Sequence, residues 1–410
     1  MANNLDNGSV APLTSDDIKN LIKQIASEVH IKDYEIVFKE QEFTGDNYCG
    51  EITRVQIKPV NNDKKALSLI VKKAPTGGSS RSLMPIHDVY VVEIFAYTNI
   101  IPAFYRLFDE FNIPSEDRFL TANFYKGLSE EFKEIIILKD LSDDGFVMSN
   151  KRTPFDFDHA ALVLQNMASV HAGSFVMREK YPKQFSKLTD SVPKEANFGE
   201  PMMSMLENIA RTYLHRIECP KNKAKLETFL GKTIETFYEK LNSSLSEPYN
   251  VICHGDSWNN NMLFKYNTDN KVEKVVFIDW QIVRYASPLA DVCYMFCMST
   301  NQQLLESHLY QLLDIYYEAL GQRMKDMGCD IEKSFPKKVF LEHFRNYMPF
   351  GLSMATGGLP IALSEPEDAK AIGDYEIEDG NIAVNDVPLG DVPFQRISGL
   401  VDYFVKHDLI

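Results

Sequence analysis

The chain has 410 residues, of which 44% are hydrophobic and 25% charged, as in soluble globular proteins and unlike disordered chains. At about 100–200 residues per domain, this length predicts two or three folded units. The 43 basic and 58 acidic residues give a net charge of −15. This charge disfavours nucleic-acid and anionic-membrane binders, whose surfaces are rich in Lys and Arg, but it is compatible with a nucleotide held through metal ions.

The first residues and the cysteines predict a cytoplasmic protein. Met1–Val10 has neither the basic start nor the apolar run of a signal peptide, and no stretch of about 18 apolar residues follows. The six cysteines form no CxxC pair, and for Cys293 and Cys297, which could share a helix face, we expect buried thiols rather than a disulfide or a metal site. We therefore expect no membrane or nucleic-acid partner, and no feature points to an obligate protein partner.

The N-terminal third is predicted to combine helices with β-rich runs. Asp16–Val29 forms one helix, and a second, Asp88–Ile101, is expected to end at Pro102 because proline has no backbone N–H to donate. The predicted strands are Tyr34–Phe43, Thr53–Val60, Ala66–Lys73, Arg118–Tyr125 and Glu134–Leu141. These elements predict a five-stranded antiparallel sheet with one helix.

The remaining sequence is predicted to be mainly helical. Helices are expected at 157–175, 201–216, 223–246, 286–299, 301–325, 336–347 and 393–407. Three strands interrupt them, Asn250–Cys253, Asn261–Tyr266 and Val272–Asp279, and the last two form a hairpin. Residues 364–391 carry nine acidic residues and one lysine, which predicts a mobile surface loop.

The segment with these three predicted strands contains the motif His-Gly-Asp-Ser-Trp-Asn-Asn-Asn at 254–261, and Asp279 ends the hairpin that follows. The pattern H-x-D-x-x-x-x-N plus a strand-end aspartate is the set that phosphoryl transfer from a metal–nucleotide requires. Asp256 would orient the attacking hydroxyl or accept its proton, while Asn261 and Asp279 would bind the metal ions. An ordinary turn rich in Asn and Asp explains the tripeptide alone, but the full pattern between apolar strands favours catalysis.

Upstream residues fit the same chemistry. A turn at 45–50 joins two strands, where the backbone at Gly45, Asn47 and Tyr48 would approach phosphates, although hairpin turns use the same residues. Lys72 ends an apolar strand and is expected to pair with Glu93, which lies on an apolar helix face. Lys73 is a rival for the role of Lys72.

A strand that runs into a linker is the expected adenine site. Backbone groups of Lys139 and Leu141, after the apolar run Ile135–Leu138, would hydrogen-bond the base; a buried edge strand is the alternative. His171 lies on an apolar stripe and is expected to be a core residue, and Asp291 a buried acceptor that braces the catalytic loop. Motifs of serine hydrolases, zincins and P-loop proteins do not occur.

The sequence resembles the ecdysteroid kinase-like family of arthropods and nematodes, which belongs to the choline kinase and aminoglycoside phosphotransferase group. The matching segments are HGDSWNNNMLF, VVFIDWQIVRYASPLADVCYMF, GDNYCGEITRV, VKKAP, VEIFAYTNIIP and LKDL. The His-Gly-Asp-x-Trp-x-x-Asn form is specific, since protein kinases usually have His-Arg-Asp and Asp-Phe-Gly.

The resemblance implies an α+β, bilobal protein-kinase-like fold that uses ATP and Mg²⁺ to phosphorylate a hydroxyl of a small molecule. The expected N-lobe, residues 1–141, has the five-stranded sheet and binds nucleotide. The expected C-lobe, residues 142–410, has the catalytic hairpin and substrate-binding helices. The matching positions make Asp256 the catalytic base, Asn261 and Asp279 metal ligands, and Lys72 with Glu93 the phosphate-positioning pair.

The sequence departs from the family pattern at two positions, and the acceptor and the activity each have alternatives. Lys139 replaces a usual Glu in the hinge, and Gly50 replaces a common Ser in the nucleotide loop. An ecdysteroid or another hydroxylated apolar compound is the preferred acceptor. Four aromatic residues of the helix at 336–350 would suit it, with plain core packing as the alternative explanation of their spacing: Phe340, Phe344, Tyr347 and Phe350. A choline, ethanolamine or aminoglycoside kinase, a ligand-binding pseudokinase and, least favoured, a protein kinase are the alternatives.

Overall fold

The computed structural model describes the chain with several gaps. The described residues are 12–39, 50–60, 65–77, 81, 84–195, 200–363, 377–378, 381–382 and 390–410. Gly45, Asn47 and Tyr48 lie outside these ranges, as does most of the acidic segment 364–391. The expectations for these residues therefore stay predictions.

The N-terminal part forms an antiparallel sheet of five strands with helices on both sides. Its elements are α1 (Ser15–Glu28), β1 (Tyr34–Phe38), β2 (Glu51–Pro59), β3 (Leu67–Lys73), α2 (Ile86–Phe95), α3 (Ile101–Glu110), β4 (Leu120–Thr121), β5 (Phe124–Leu128) and β6 (Ile135–Lys139). The strand order is β1-β2-β3-β6-β5, so β6 is an inner strand and not an edge. The predicted five-stranded sheet is confirmed.

The expected helix end at Pro102 is wrong. After α2, a π-helical turn at Ala96–Ile100 leads directly into α3, and Pro102 lies in the first turn of α3. The turn shifts the hydrogen-bond register immediately before the proline, with the Ile101 N–H donating to Ala96 O. The chain therefore remains helical from residue 86 to residue 110 although Pro102 has no N–H.

The predicted strand Arg118–Tyr125 is divided between two sheets. Its first part, β4, pairs in parallel with the later strand at 272–277, with Leu120 opposite Val276. Its second part begins β5, in which Phe124 pairs opposite Leu138 of β6. This exchange ties the N-terminal sheet to the strand that precedes Asp279.

The C-terminal part is mainly helical, as predicted. Its elements are β7 (Val147–Met148), α4 (Phe157–Lys180), α5 (Pro182–Thr189), α6 (Glu200–Thr212), α7 (Pro220–Leu230), α8 (Thr233–Lys240), β8 (Val251–Cys253), β9 (Met262–Tyr266), β10 (Val272–Phe277), β11 (Arg284–Ala286), α9 (Pro288–Ser299), α10 (Gln302–Asp326), α11 (Ile331–Ser334), α12 (Lys337–Ala362), β12 (Ile377–Glu378), β13 (Asn381–Ile382) and α13 (Asp391–Lys406). The α12 helix continues far beyond the predicted end at 347, through Pro349 and Pro360.

The apolar core crosses the expected boundary between residues 141 and 142. Phe104 of α3 is fully buried against the same cluster as Phe175 of α4 and Phe296 of α9. A smaller cluster joins α1 to the sheet through Leu21, Ile22 and Ile25. The division into lobes at this position stays a prediction.

The helix α4 is long and apolar enough to cross a membrane, but 78% of its most apolar window is buried inside the protein. It packs against α10 and the strands β8 and β10. This burial is that of a core helix.

Close packing between α9 and α12 requires a glycine. A Cβ at Gly351 of α12 would overlap the Cys293 carbonyl oxygen and lie 2.8 Å from Cys297 Sγ, both on α9. The absence of a side chain therefore sets the distance between the two helices.

We expect Gly351→Ala to lower the free energy of unfolding by about 1–3 kcal/mol, because overlap with backbone outweighs the better helix propensity of alanine. Urea denaturation measures this change. Gly231→Ala is the matched control, since its Cβ would lie 3.5 Å from the nearest atom, Thr228 O. Equal stabilities of the two variants would contradict the packing argument.

Candidate active site

A cleft lies between the five-stranded sheet and the β9–β10 hairpin. Ile52, Ile70 and Leu138 form apolar surface on the sheet side, and Leu263 and Ile278 form it on the hairpin side. Polar residues from both parts of the chain also line this cleft, among them Lys72, Asp256 and Asp279. Two apolar layers with polar groups beside them can hold a flat aromatic base that carries a charged substituent.

The backbone of the loop after β8 is hydrogen-bonded to the side chain of Asp291, the fourth residue of α9. The Asp291 carboxylate accepts hydrogen bonds from the backbone N–H groups of His254 (2.7 Å) and Gly255 (2.8 Å). Gly255 has φ of 86°, and a Cβ there would overlap the Ile282 carbonyl oxygen, so the turn requires glycine. The expected brace at Asp291 is present.

His171 is a satisfied core residue, as expected. It is fully buried, and its ring nitrogens bond to the Tyr316 hydroxyl (2.7 Å) and to Asp291 (3.2 Å). Burial alone would raise the pKa of Asp291, but the hydrogen bonds with His171 and with the Gly255 N–H outweigh it, so this pKa lies below its ordinary value. The brace is therefore a carboxylate.

Asp256 follows directly and faces the cleft. Its Oδ1 accepts a hydrogen bond of 2.9 Å from the Tyr294 hydroxyl. Burial, with a smaller contribution from the nearby Asp279 carboxylate, raises the pKa of Asp256 above its ordinary value. A carboxylate with a raised pKa at the base of a cleft is a stronger proton acceptor than a solvated one.

Asn261 closes the loop that starts at Asp256. Its Nδ2 donates to the Asp256 backbone oxygen at 3.0 Å, and 6% of Asn261 is exposed. This bond uses the amide nitrogen and leaves Oδ1 for another partner. The oxygen is of the type that Mg²⁺ prefers.

Asp279 is brought beside the loop by the β9–β10 hairpin. The Ile278 N–H donates to Asn261 O at 3.0 Å, and His254 Nε2 donates to Ile278 O at 3.0 Å. Asp279 itself has φ of 64°, in the left-handed region, so the backbone turns sharply after β10. The structure therefore brings Asp256, Asn261 and Asp279 together.

Lys72 reaches into the cleft from β3 and contacts three side chains. Its Nζ donates to Glu93 Oε2 (2.8 Å), to Gln281 Oε1 (3.2 Å) and to Asp279 Oδ1. Burial raises the pKa of Glu93 to about 7, although Lys72 opposes the shift. The expected contact between Lys72 and Glu93 is thus present.

Lys73 is excluded as the residue that faces the cleft. Its Nζ pairs with Glu51 at 3.0 Å, and 64% of that glutamate side chain is exposed. Successive residues of a strand point to opposite faces, so Lys72 and Lys73 cannot both enter the cleft.

The hinge offers one backbone donor to a ligand. The Lys139 N–H donates to Asn123 O (2.9 Å) and the Asp140 N–H to Ser68 O (2.9 Å), whereas the Leu141 N–H has no partner among the described residues. The Lys139 side chain instead pairs with Asp144 at 2.5 Å. Leu141 is therefore better placed than Lys139 to donate to a base.

Two residues of this site were not predicted from the sequence. Gln281 is buried beside Lys72, and Tyr294 beside Asp256. Each lies a short distance after a predicted residue, Gln281 two positions after Asp279 and Tyr294 three after Asp291. That helical spacing places Tyr294 on the same face as Asp291, but only the structure shows which buried tyrosine meets the loop.

Solved structures with similar folds include three small-molecule kinases. The ethanolamine kinase of Plasmodium vivax is 11% identical, with 98% of this chain and 93% of that chain covered, at a TM-score of 0.43. The choline kinase LicA of Streptococcus pneumoniae is 12% identical, with 95% and 99% covered, at 0.40. The GDP complex of wild-type aminoglycoside 2'-phosphotransferase-IIIa is 11% identical, with 95% and 99% covered, at 0.41.

The family comparison is more specific. No curated protein matches the sequence. The family model described as the ecdysteroid kinase-like family matches residues 44–329, more than half of the chain, and this range includes Lys72, Glu93, the loop at 254–261 and Asp279. The chain therefore belongs to the ecdysteroid kinase-like family and is a kinase-type phosphotransferase that acts on the hydroxyl groups of small molecules.

Proposed function

We propose that the protein transfers the γ-phosphoryl group of ATP, with Mg²⁺, to a hydroxyl of an ecdysteroid or another hydroxylated apolar compound. The observation that carries this proposal is the Lys72 contact set, which links Glu93 of α2 to Asp279 of the hairpin across the cleft. Asp256 lines the same cleft and lies near Asp279. A cation for phosphates, a candidate base and candidate metal ligands therefore converge.

The nucleotide is proposed to lie in the apolar part of the cleft. Adenine would stack between Ile52 and Leu263, accept a hydrogen bond from the Leu141 N–H, and direct its phosphates toward Lys72. The turn with Gly45, Asn47 and Tyr48 would cover the phosphates. The Lys139 N–H is bonded to Asn123 O and its side chain to Asp144, so Leu141 is the proposed hinge donor to the base.

Asn261 and Asp279 are proposed to hold Mg²⁺, which neutralises phosphate oxygens and the leaving ADP when bound. Their amide and carboxylate oxygens suit this hard cation. Asp279 would exchange its contact with Lys72 for the metal, and Lys72 would keep Glu93 and Gln281 as partners. The Lys72 ammonium then faces the phosphates.

Asp256 is proposed to act on the acceptor. Its carboxylate accepts the hydrogen bond of the acceptor hydroxyl and directs the oxygen lone pair at the γ-phosphorus. The new P–O bond forms as the bond to the ADP oxygen breaks, and the hydroxyl proton passes to Asp256. Positioning and charge stabilisation supply the rate enhancement in this reaction class.

The acceptor assignment is supported by family membership, not by the aromatic helix. Phe340, Phe344, Tyr347 and Phe350 of α12 are all at least 94% buried, and Phe340 stacks on Tyr316. These residues are core, which was the alternative reading of their spacing. A cytoplasmic site of action is also part of the proposal, since the thiols of Cys253, Cys293 and Cys297 are free and buried.

We expect Asp256→Asn to lower kcat by about 10²–10⁴-fold, because the amide cannot accept the hydroxyl proton. The assay measures ADP release from Mg²⁺-ATP or Mg²⁺-GTP with ecdysteroids, other sterols, phenols, choline and aminoglycosides. The rise in melting temperature with Mg²⁺-ATP should be unchanged. Asp269→Asn, in the exposed hairpin turn, is the matched control. Turnover retained by Asp256→Asn would refute the assigned base, and turnover of cations alone would refute the apolar acceptor.

We expect Asp279→Asn to weaken Mg²⁺-ATP binding by about 10–100-fold, since it removes a charged metal ligand. Calorimetric titration with and without Mg²⁺ measures the difference. The loss should be large with Mg²⁺ and small without it, because only the metal-dependent part of the affinity is removed. Equal affinity of this variant and the native protein in Mg²⁺ would contradict the metal role.

A further inference from the structure

The Asp256 carboxylate is held by a buried tyrosine. The Tyr294 hydroxyl donates to Asp256 Oδ1 at 2.9 Å, and 6% of Tyr294 is exposed. The final torsion of an aspartate side chain is broad, so a carboxylate without such a bond samples many orientations. The contact therefore restricts which oxygen faces the cleft.

Tyr294 belongs to the same helix as the backbone brace of the loop. Asp291 and Tyr294 are three residues apart on α9, so both lie on the face that meets the loop. Asp291 fixes the N–H groups before Asp256, and its backbone oxygen also accepts from the Ser257 hydroxyl at 2.8 Å. One helix thus fixes both the backbone and the side chain of the loop.

We propose that Tyr294 is a positioning residue for phosphoryl transfer: by occupying Oδ1, it fixes the carboxylate plane and leaves Oδ2 of Asp256 for the acceptor hydroxyl. This inference rests on the proposed role of Asp256. Tyr294 does not touch the reacting atoms and exchanges no proton in the reaction.

The surroundings of Tyr294 keep its hydroxyl protonated and therefore a donor. Burial, and next the Asp256 carboxylate, raise the pKa of Tyr294 well above its ordinary value. Arg284, also buried, lies close enough to oppose this shift but does not reverse it. A simple core tyrosine would fill the same space, but its hydroxyl would have no consequence for turnover.

A double-mutant cycle tests the contact without any ligand. Tyr294→Phe, Asp256→Ala and the double variant are compared with the native protein by their urea denaturation midpoints. We expect the midpoint shifts to be non-additive, because each single change removes the same hydrogen bond. Additive shifts would overturn the inference whatever the enzyme phosphorylates.

Kinetics test the positioning role. Turnover is measured with Mg²⁺-ATP in two reactions, phosphorylation of 20-hydroxyecdysone and hydrolysis of ATP by water. In both reactions we expect Tyr294→Phe to lower kcat about 10- to 100-fold at an unchanged KM for ATP. Tyr317→Phe is the matched control: this tyrosine is 7% exposed, and its hydroxyl donates to Glu332 at 2.7 Å, away from the loop. Its kcat should equal that of the native protein.

The outcomes separate this inference from the proposed function. An unchanged kcat in Tyr294→Phe, or a kcat loss matched in Tyr317→Phe, overturns the positioning role. A kcat loss accompanied by a raised KM for ATP indicates general disruption and also overturns it. If Asp256→Asn keeps its turnover, the assigned role of Asp256 fails, and the positioning role of Tyr294 fails with it. If the native protein phosphorylates no acceptor, the proposed function fails instead, and the double-mutant cycle still decides whether the contact exists.

Discussion

The geometry of the site depends on one buried carboxylate, that of Asp291. It accepts the N–H groups of His254 and Gly255, contacts His171, and lies at the start of a helix that is buried along its whole length. A buried charge is stable only when hydrogen bonds and opposite charge compensate its desolvation, and here the loop itself supplies part of that compensation. The loop conformation and the ionised state of Asp291 therefore stabilise each other.

A second constraint is the concentration of negative charge in the cleft. In addition to burial, the nearby Asp279 carboxylate raises the pKa of Glu93 and of Asp256, and the Lys72 ammonium contacts Glu93 and Asp279. Carboxylates that share one cation favour additional positive charge, which is the condition under which a metal–nucleotide binds well.

The differences between the predicted and observed elements follow from long-range contacts. Pro102 predicts a helix end, since proline cannot donate the next backbone hydrogen bond. The π turn that shifts the hydrogen-bond register before Pro102 has no signal in the local sequence. Leu120 and Thr121 read as part of the N-terminal sheet, but they pair with β10, some 150 residues later. The α12 helix continues through Pro349 and Pro360 and packs against α9, where Gly351 permits close approach.

The sequence alone determined the β-rich and helical halves, the pattern of Asp256, Asn261 and Asp279, and the pair Lys72 and Glu93, because these depend on local period and fixed spacing. The tertiary structure decided that Lys72 and not Lys73 faces the cleft, that Leu141 offers the free N–H, and that Gln281 and Tyr294 complete the site. It also showed that the aromatic residues of α12 are core. These outcomes depend on which faces meet after folding, and residue spacing along one chain does not specify the partner across a cleft.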